Sequence, residues 1–239
     1  MTGVAAVEPI RVYVGIDAPG SFEERAQIAV AELERTGAAE RSVVMIAGTT
    51  GSGWLDPAAL DGFEYLHAGD TAIVAQQYGA TGSPVSALLT PDLSQDGTTA
   101  LVRAVTGWWE QLPADDRPRL IVYGLSLGSF GIQSAYASGD DLLASTEGAV
   151  LAGTPSFTPV WSAFQDARDP GSPYSLPVLD DGAHVRWSAQ WGGLGEPAGR
   201  WEETRVAYLQ HGTDPIVWIG PSVIWSEPEW LQEGQRSPE

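Results

Sequence analysis

The chain has 239 residues, a hydrophobic content of 43% and ten tryptophans, which suffice for one large folded domain and exclude wholesale disorder. Its formal net charge of −19 argues against nucleic acid as a partner, because phosphates are bound by basic patches. All twelve basic residues are Arg, so a P-loop, a Schiff base and a Ser–Lys dyad are excluded. Cys is absent, which excludes disulfides, a thiolate nucleophile and thiolate metal ligands.

No apolar run approaches the roughly 18–20 residues that span a bilayer, and the first nine residues do not form a signal peptide. The chain as given is therefore expected to be soluble. No cofactor and no metal are predicted.

Strand and helix patterns alternate through the first half of the chain. Ser21 and Glu24 stand in capping-box spacing ahead of a helix, and Gly37 is a typical stop. Asp56 and Pro57 form an N-cap and first-turn pair ahead of the next helix. The predicted elements are strands at Ile10–Ile16, Ser42–Ala47 and Thr71–Gln76, and helices at 21–36, 57–66 and 97–112.

The second half continues this alternation with one long interruption. Strands are predicted at Arg119–Gly124, Gly148–Gly153 and Arg205–Gln210, with a helix at Leu127–Ala137. The interruption, Thr154–Thr204, is rich in Pro, Gly and Trp, and a connection of this length predicts a cap-like insertion, or a cover for the sheet edge. Six strands joined by crossovers predict an α/β fold with a mostly parallel sheet flanked by helices, in a single domain over 1–239.

The motif that indicates chemistry is Gly124-Leu125-Ser126-Leu127-Gly128, which fits the nucleophile elbow G-x-S-x-G. It falls at the junction of an apolar strand and a helix, where a sharp turn would project the Ser126 hydroxyl above the sheet. The helix that follows would direct its N-terminus at the developing negative charge. This pattern predicts an α/β-hydrolase-type fold with Ser126 as the nucleophile.

An oxyanion loop is expected after the strand two before the elbow, and the loop there is Gly48–Gly53. Backbone N–H groups of Thr49, Thr50 or Gly51 could act with that of Leu127 as the oxyanion hole. A nucleotide-binding role is disfavoured, because the loop lacks a G-K-[ST] ending and does not fit G-x-G-x-x-G.

The acid of a catalytic triad should follow the second strand after the elbow, where Asp214 lies, although an Asp before Pro is also typical of a turn. The base should be a later histidine, but His67, His184 and His211 all precede Asp214. His211 is a candidate surrogate base if it folds back. Otherwise the sequence stops before its last strand, helix and histidine, or the site is atypical or inactive.

Several stretches resemble the catalytic domain of a bacterial α/β-hydrolase family in which a multi-span membrane region precedes the hydrolase domain. The resemblance implies that Ser126 is the nucleophile, that Asp214 is its acid, and that an absent C-terminal Gly-His segment supplies the base. It also implies a parent protein in the bacterial cell membrane, attached through a segment absent here. Leu125 departs from the glutamate of the family elbow. The matching stretches are Glu8–Gly15, Thr50–Pro57, Phe63–Gly69, Gly124–Gly131, Arg168–Pro173 and Val206–Trp218.

The function predicted from these features is hydrolysis of a carboxylic ester, small or lipid-like, through an acyl-enzyme on Ser126. These 239 residues alone are expected to be nearly inactive if the base is missing. Two alternatives stay open. One is transfer of the same acyl group to an alcohol, and the other is a binding module that kept the fold and lost the base.

Overall fold

The computed structural model describes residues 5–82, 90–197 and 199–218. The chain divides into two compact units, Met1–Ala135 and Tyr136–Glu239. The expectation of a single domain over 1–239 stays a prediction. The expectation that a last strand and helix are missing also stays a prediction. Residues 219–239 lie outside the described part of the chain.

The first unit is a parallel sheet with the strand order β1-β3-β2-β4. Gly48 at the end of β2 is in register with Gln76 on one side and Gly124 on the other, so three strands end at the same edge. The elements are β1 (Ile10–Val14), α1 (Phe22–Thr36), β2 (Val43–Gly48), α2 (Pro57–Leu66), β3 (Thr71–Gln76), α3 (Pro91–Glu110), β4 (Arg119–Leu125) and α4 (Leu127–Ser134).

Local sequence accounts for most of these boundaries. Ser21 and Glu24 form both bonds of the predicted capping box, and Gly37 ends α1 in the left-handed region at φ 77°. The Asp56 side chain accepts a hydrogen bond from the N–H of Ala58 at the start of α2. Every residue of β2 and β3 is buried, as in a parallel strand covered on both faces.

The second unit contains a parallel sheet in which β7 lies between β5 and β6. The Trp187 and Tyr208 rings stack at 5.3 Å between neighbouring strands, and both residues are buried. The elements are α5 (Gly139–Ser145), β5 (Gly148–Ala152), α6 (Pro159–Asp166), β6 (Val185–Ser188), β7 (Arg205–Leu209) and α7 (Pro215–Trp218).

The mostly parallel sheet flanked by helices is confirmed, with two corrections. The described residues contain seven strands rather than six, because β6 and α6 lie within the segment Thr154–Thr204 that was predicted as cap-like. Helix α3 begins at Pro91 rather than Gly97, and its first turns escape a hydrophobic pattern because a buried position there is occupied by the polar Ser94. None of the helices in the described ranges is both long and apolar enough to cross a bilayer.

Candidate active site

Ser126 lies at a sharp corner between β4 and α4. Its backbone has φ 55° and ψ −121°, a region that non-glycine residues occupy at a cost of order 1–3 kcal/mol. The Ser126 carbonyl accepts the N–H of Phe130 at 3.1 Å, so the residue starts the helix through its backbone. Its hydroxyl makes no capping bond to the helix, and the side chain is half-buried. This is the strained strand-to-helix turn that the elbow motif predicts.

Small residues allow this corner to pack against the end of β2. A Cβ on Gly124 would lie 2.5 Å from the backbone nitrogen of Ser129 and 2.6 Å from the carbonyl oxygen of Gly128. A Cβ on Gly128 would collide with the Gly48 carbonyl and lie 3.1 Å from that of Thr49. The glycines on either side of Ser126 are therefore steric requirements, and the turn of α4 that follows the serine contacts the start of the predicted oxyanion loop.

The loop after β2 is held by hydrogen bonds along its whole length. The Thr49 hydroxyl donates to the Gln76 carbonyl at 3.1 Å, and the Gly53 N–H donates to the Thr50 carbonyl at 2.9 Å. From outside the loop, Gln77 Nε2 donates to the Ser52 carbonyl at 3.0 Å. The Tyr13 hydroxyl donates to the Gly53 carbonyl at 2.8 Å, and burial raises the pKa of Tyr13. Such a loop can present N–H groups without reorganisation.

The four predicted oxyanion donors, three in this loop and Leu127 on α4, are not equivalent. The Thr50 N–H donates to the Trp54 carbonyl at 3.0 Å, so Thr50 serves as an oxyanion donor only after that bond opens. Thr49 and Gly51 are buried in the same loop. Leu127 is buried as the first residue of α4, where an N–H has no acceptor within the helix. The prediction is therefore strongest for Leu127.

Two residues that hold the loop, Tyr13 and Gln77, were missed in the sequence. Gln77 could have been identified, because it is a polar residue directly after a buried strand and so falls at the sheet edge where Gly48 and Gly124 also lie. Tyr13 carried no such signal, because an aromatic residue inside a strand is most often part of the core.

Asp214 lies in the second unit, in the turn that joins the carboxyl end of β7 to α7. The Asp214 side chain is half-buried, and its N–H donates to the His211 carbonyl at 3.1 Å. The same carbonyl accepts the indole N–H of Trp218 at 3.0 Å. Ahead of the turn, the Gln210 side chain accepts from Trp161 at 3.0 Å and donates to the Ser175 carbonyl at 2.8 Å. The turn that bears Asp214 is thus anchored at both ends.

Two of the three histidines lie at the amino end of a strand and the third lies at a carboxyl end. His67 ends α2 just before β3 begins, at the sheet end opposite to Ser126, and burial lowers its pKa, with the charge of Arg119 adding to the effect. His184 lies just before the amino end of β6, with its Nδ1 atom 3.1 Å from the Thr204 carbonyl. His211 alone follows the carboxyl end of a strand, and it is exposed.

In the part of the chain that the structure describes, no group of three or more His, Asp or Glu side chains is arranged to hold a metal ion. The chemistry that the first unit offers is a backbone-positioned hydroxyl beside N–H donors. That arrangement suits attack on a carbonyl carbon and stabilisation of the resulting oxyanion.

Comparison with known proteins gives one extensive match. A family model described as the alpha/beta-hydrolase family matches residues 10–238. Two solved structures titled as acetyl xylan esterase, one at 0.90 Å resolution and one an iodinated complex, are similar to the chain at 15% and 16% identity. Each has a TM-score of 0.45, covers 74% of this chain and is itself covered to 85%, a likeness too distant to bear on activity. Among curated proteins, none matches.

Proposed function

Because the chain belongs to the α/β-hydrolase family, we propose that it is the catalytic region of a serine hydrolase acting on carboxylic esters, including lipid-like ones. The Ser126 hydroxyl attacks the ester carbonyl while a base takes its proton, and the carbonyl oxygen becomes an oxyanion. Collapse of this intermediate expels the alcohol, which takes the proton back, and leaves an acyl-enzyme. Water then releases the acid and regenerates Ser126.

The observation that carries this proposal is the backbone of Ser126. A serine at φ 55° between a strand and a helix is strained, and the close contact of Gly128 with Gly48 and Thr49 maintains that strain. Strain of this kind clusters at functional sites, because it directs a side chain where a relaxed turn would not.

Charge stabilisation is the second element of the proposal. We assign the oxyanion to the N–H of Leu127 together with an N–H group of Thr49, Thr50 or Gly51, of which the Thr50 N–H can take part only after its bond to the Trp54 carbonyl opens. The N-terminal end of α4 faces the same corner, and its partial positive charge favours an anion there. Loss of one such donor typically lowers kcat by roughly 100- to 1000-fold.

The acid and the base are assigned from their places along the chain and from the family resemblance. Asp214 is proposed as the acid from its place after β7 and from the family resemblance. The base is proposed to be a histidine in a C-terminal segment of the parent protein, with His211 as the surrogate. His211 is preferred over His67 and His184 because it follows the carboxyl end of its strand. Bacterial origin and membrane attachment of a longer parent stay predictions from the resemblance.

Covalent labelling tests the nucleophile. The full-length protein is treated with a fluorophosphonate, and the modified peptide is identified by mass spectrometry. The expected result is one adduct on Ser126 that is lost in Ser126→Ala. Ser134→Ala is the matched control, because Ser134 ends the helix that Ser126 precedes and its hydroxyl donates to a helix carbonyl, that of Phe130, at 2.8 Å. Absence of labelling, or labelling that Ser126→Ala leaves unchanged, would refute the proposal.

A further inference from the structure

Trp54 follows the candidate oxyanion loop directly and leaves half of its side chain, 49%, exposed. The next residue, Leu55, packs against the buried cluster that includes Met45 and Tyr123. The chain therefore places its smaller apolar residue in the core and holds the large indole outside it. Burying an aromatic side chain is among the larger gains available to a fold, so an indole kept outside the core invites a functional explanation.

The backbone of Trp54 is fixed to a candidate oxyanion residue. Its carbonyl accepts both the N–H of Thr50, at 3.0 Å, and the Thr50 hydroxyl, at 3.2 Å. The Gly53 N–H returns to the Thr50 carbonyl at 2.9 Å and closes the turn. Since the preceding loop residues Gly48 and Thr49 contact α4 at Gly128, the indole is attached to the same short turn that approaches the elbow.

A second aromatic side chain flanks the same turn. The Tyr13 hydroxyl donates to the Gly53 carbonyl at 2.8 Å, and 48% of Tyr13 is exposed. Gly53 has φ +85°, and a Cβ there would lie 2.7 Å from the Gln77 side chain, so this position admits only glycine. Tyr13 and Trp54 therefore both lie beside the loop and are both half-exposed; Tyr13 is fixed through its side-chain hydroxyl and Trp54 through its backbone carbonyl.

We propose that Trp54 contacts the apolar chain of the ester and sets the preference for its length; this proposal rests on the proposed function of Ser126. An indole carried by a backbone that is already fixed has only its two side-chain torsions to order, so it gains contact with a substrate chain at little cost in conformational entropy. Each methylene that it covers adds to the discrimination between long and short substrates. Trp54 is thereby a specificity residue and takes no part in bond making or breaking.

The test uses two series of fluorophosphonate probes on the full-length protein. In one series the alkyl group on phosphorus lengthens, which mimics the acyl side, and in the other the alkoxy group lengthens, which mimics the alcohol side. The measured quantity is the ratio of labelling rates for the longest and shortest probe of each series. Trp54→Ala is compared with the wild type, with Trp54→Phe, which keeps an aromatic ring, and with Tyr65→Ala.

Tyr65 is the matched control, because it is an aromatic residue on α2 that is 81% exposed, and none of the hydrogen bonds described for it reaches the loop. We expect Trp54→Ala to lower the long-to-short ratio roughly tenfold in one series, since one methylene in an apolar site is worth about 10- to 200-fold. Trp54→Phe and Tyr65→Ala should stay within about twofold of the wild type. The affected series identifies which side of the ester the indole contacts.

The outcomes separate the two proposals. If wild-type Ser126 is not labelled, the proposed function fails. If it is labelled and the ratios of both series are the same in Trp54→Ala as in the wild type, the role of Trp54 is overturned. A uniform loss of rate for all probes also overturns that role, because it indicates damage to the oxyanion loop without an effect on chain length.

Discussion

At the scale of single residues, close backbone approach controls the candidate nucleophile. We expect Gly128→Ala to destabilise the protein by about 1–3 kcal/mol, because the new methyl group would collide with the Gly48 carbonyl, which belongs to a buried strand and cannot shift freely. Displacement of the first turn of α4 should also slow fluorophosphonate labelling of Ser126. Urea unfolding and labelling rates measure the two effects.

Gly62→Ala is the control for this substitution. Gly62 lies inside α2, and a Cβ there would meet nothing within 4 Å. Alanine should therefore stabilise the helix by roughly 0.5–1 kcal/mol, the usual difference between the two residues in a helix interior. If Gly128→Ala behaves like Gly62→Ala, the close packing around the elbow is not a constraint on this chain.

The sequence predicted the place of Ser126 but did not show which of the expected oxyanion donors already bind another group. The elbow could be identified because its requirements are local: a strand, a helix, and small residues two positions to either side. The bond between the Thr50 N–H and the Trp54 carbonyl depends on how the loop closes on itself, which no spacing rule specifies. The sequence pattern therefore left Thr49, Thr50 and Gly51 as alternatives beside Leu127, and the structure adds that the Thr50 N–H is already bound to the Trp54 carbonyl.

At the scale of elements, the sequence predictions failed where a buried position is occupied by a polar or charged residue. Helix α3 starts before its predicted boundary. Its first turns could not be recognised from the hydrophobic pattern, because a core position there is occupied by a polar residue: Ser94 is completely buried and donates to the Leu127 carbonyl at 2.9 Å. Strand β6 has only four residues, and one of them is the buried Arg186. A hydrophobic pattern cannot reveal a strand that places an arginine inside.

Arg186 organises the segment around β6, and this gives a stability prediction. Its guanidinium donates to the carbonyls of Gly182, Leu194 and Gly199 at 2.6–2.8 Å, and the residue is 4% exposed. Arg186→Met keeps the apolar stem but leaves three carbonyls without this donor, and we expect a loss of about 3–5 kcal/mol from the free energy of unfolding. Chemical denaturation followed by tryptophan fluorescence measures it.

Arg35→Met is the comparison for Arg186→Met. Arg35 is exposed on α1 and pairs with Glu32 one turn earlier, at 2.6 Å. Exposed pairs of this kind contribute little, so the denaturation midpoint should hardly move. Arg186→Lys should fall between the wild type and Arg186→Met, because an ammonium group cannot reach three carbonyls with the fork of a guanidinium. Equal midpoints for Arg186→Met and Arg35→Met would show that β6 does not depend on Arg186.

At the scale of the whole molecule, charge imbalance is the dominant electrostatic feature. The chain carries 31 acidic and 12 basic residues. In the described ranges, ion pairs join Arg11 to Asp61 and Glu64 and join Arg35 to Glu32, so most carboxylates there lie outside an ion pair. Repulsion among like charges opposes the compact state and acts over distances that salt can screen.

We therefore expect added salt to stabilise this protein. Between about 0.02 M and about 0.5 M NaCl the Debye length falls below the spacing of most surface charges, which weakens repulsion more than it weakens the few ion pairs. The melting temperature should rise by about 2–4 °C, which corresponds to roughly 1 kcal/mol for a chain of this size. Differential scanning calorimetry at neutral pH measures it, with an uncharged osmolyte at equal osmolality as the control. A melting temperature that falls with NaCl would mean that attractive pairs, and not the net charge, dominate the electrostatics of the fold.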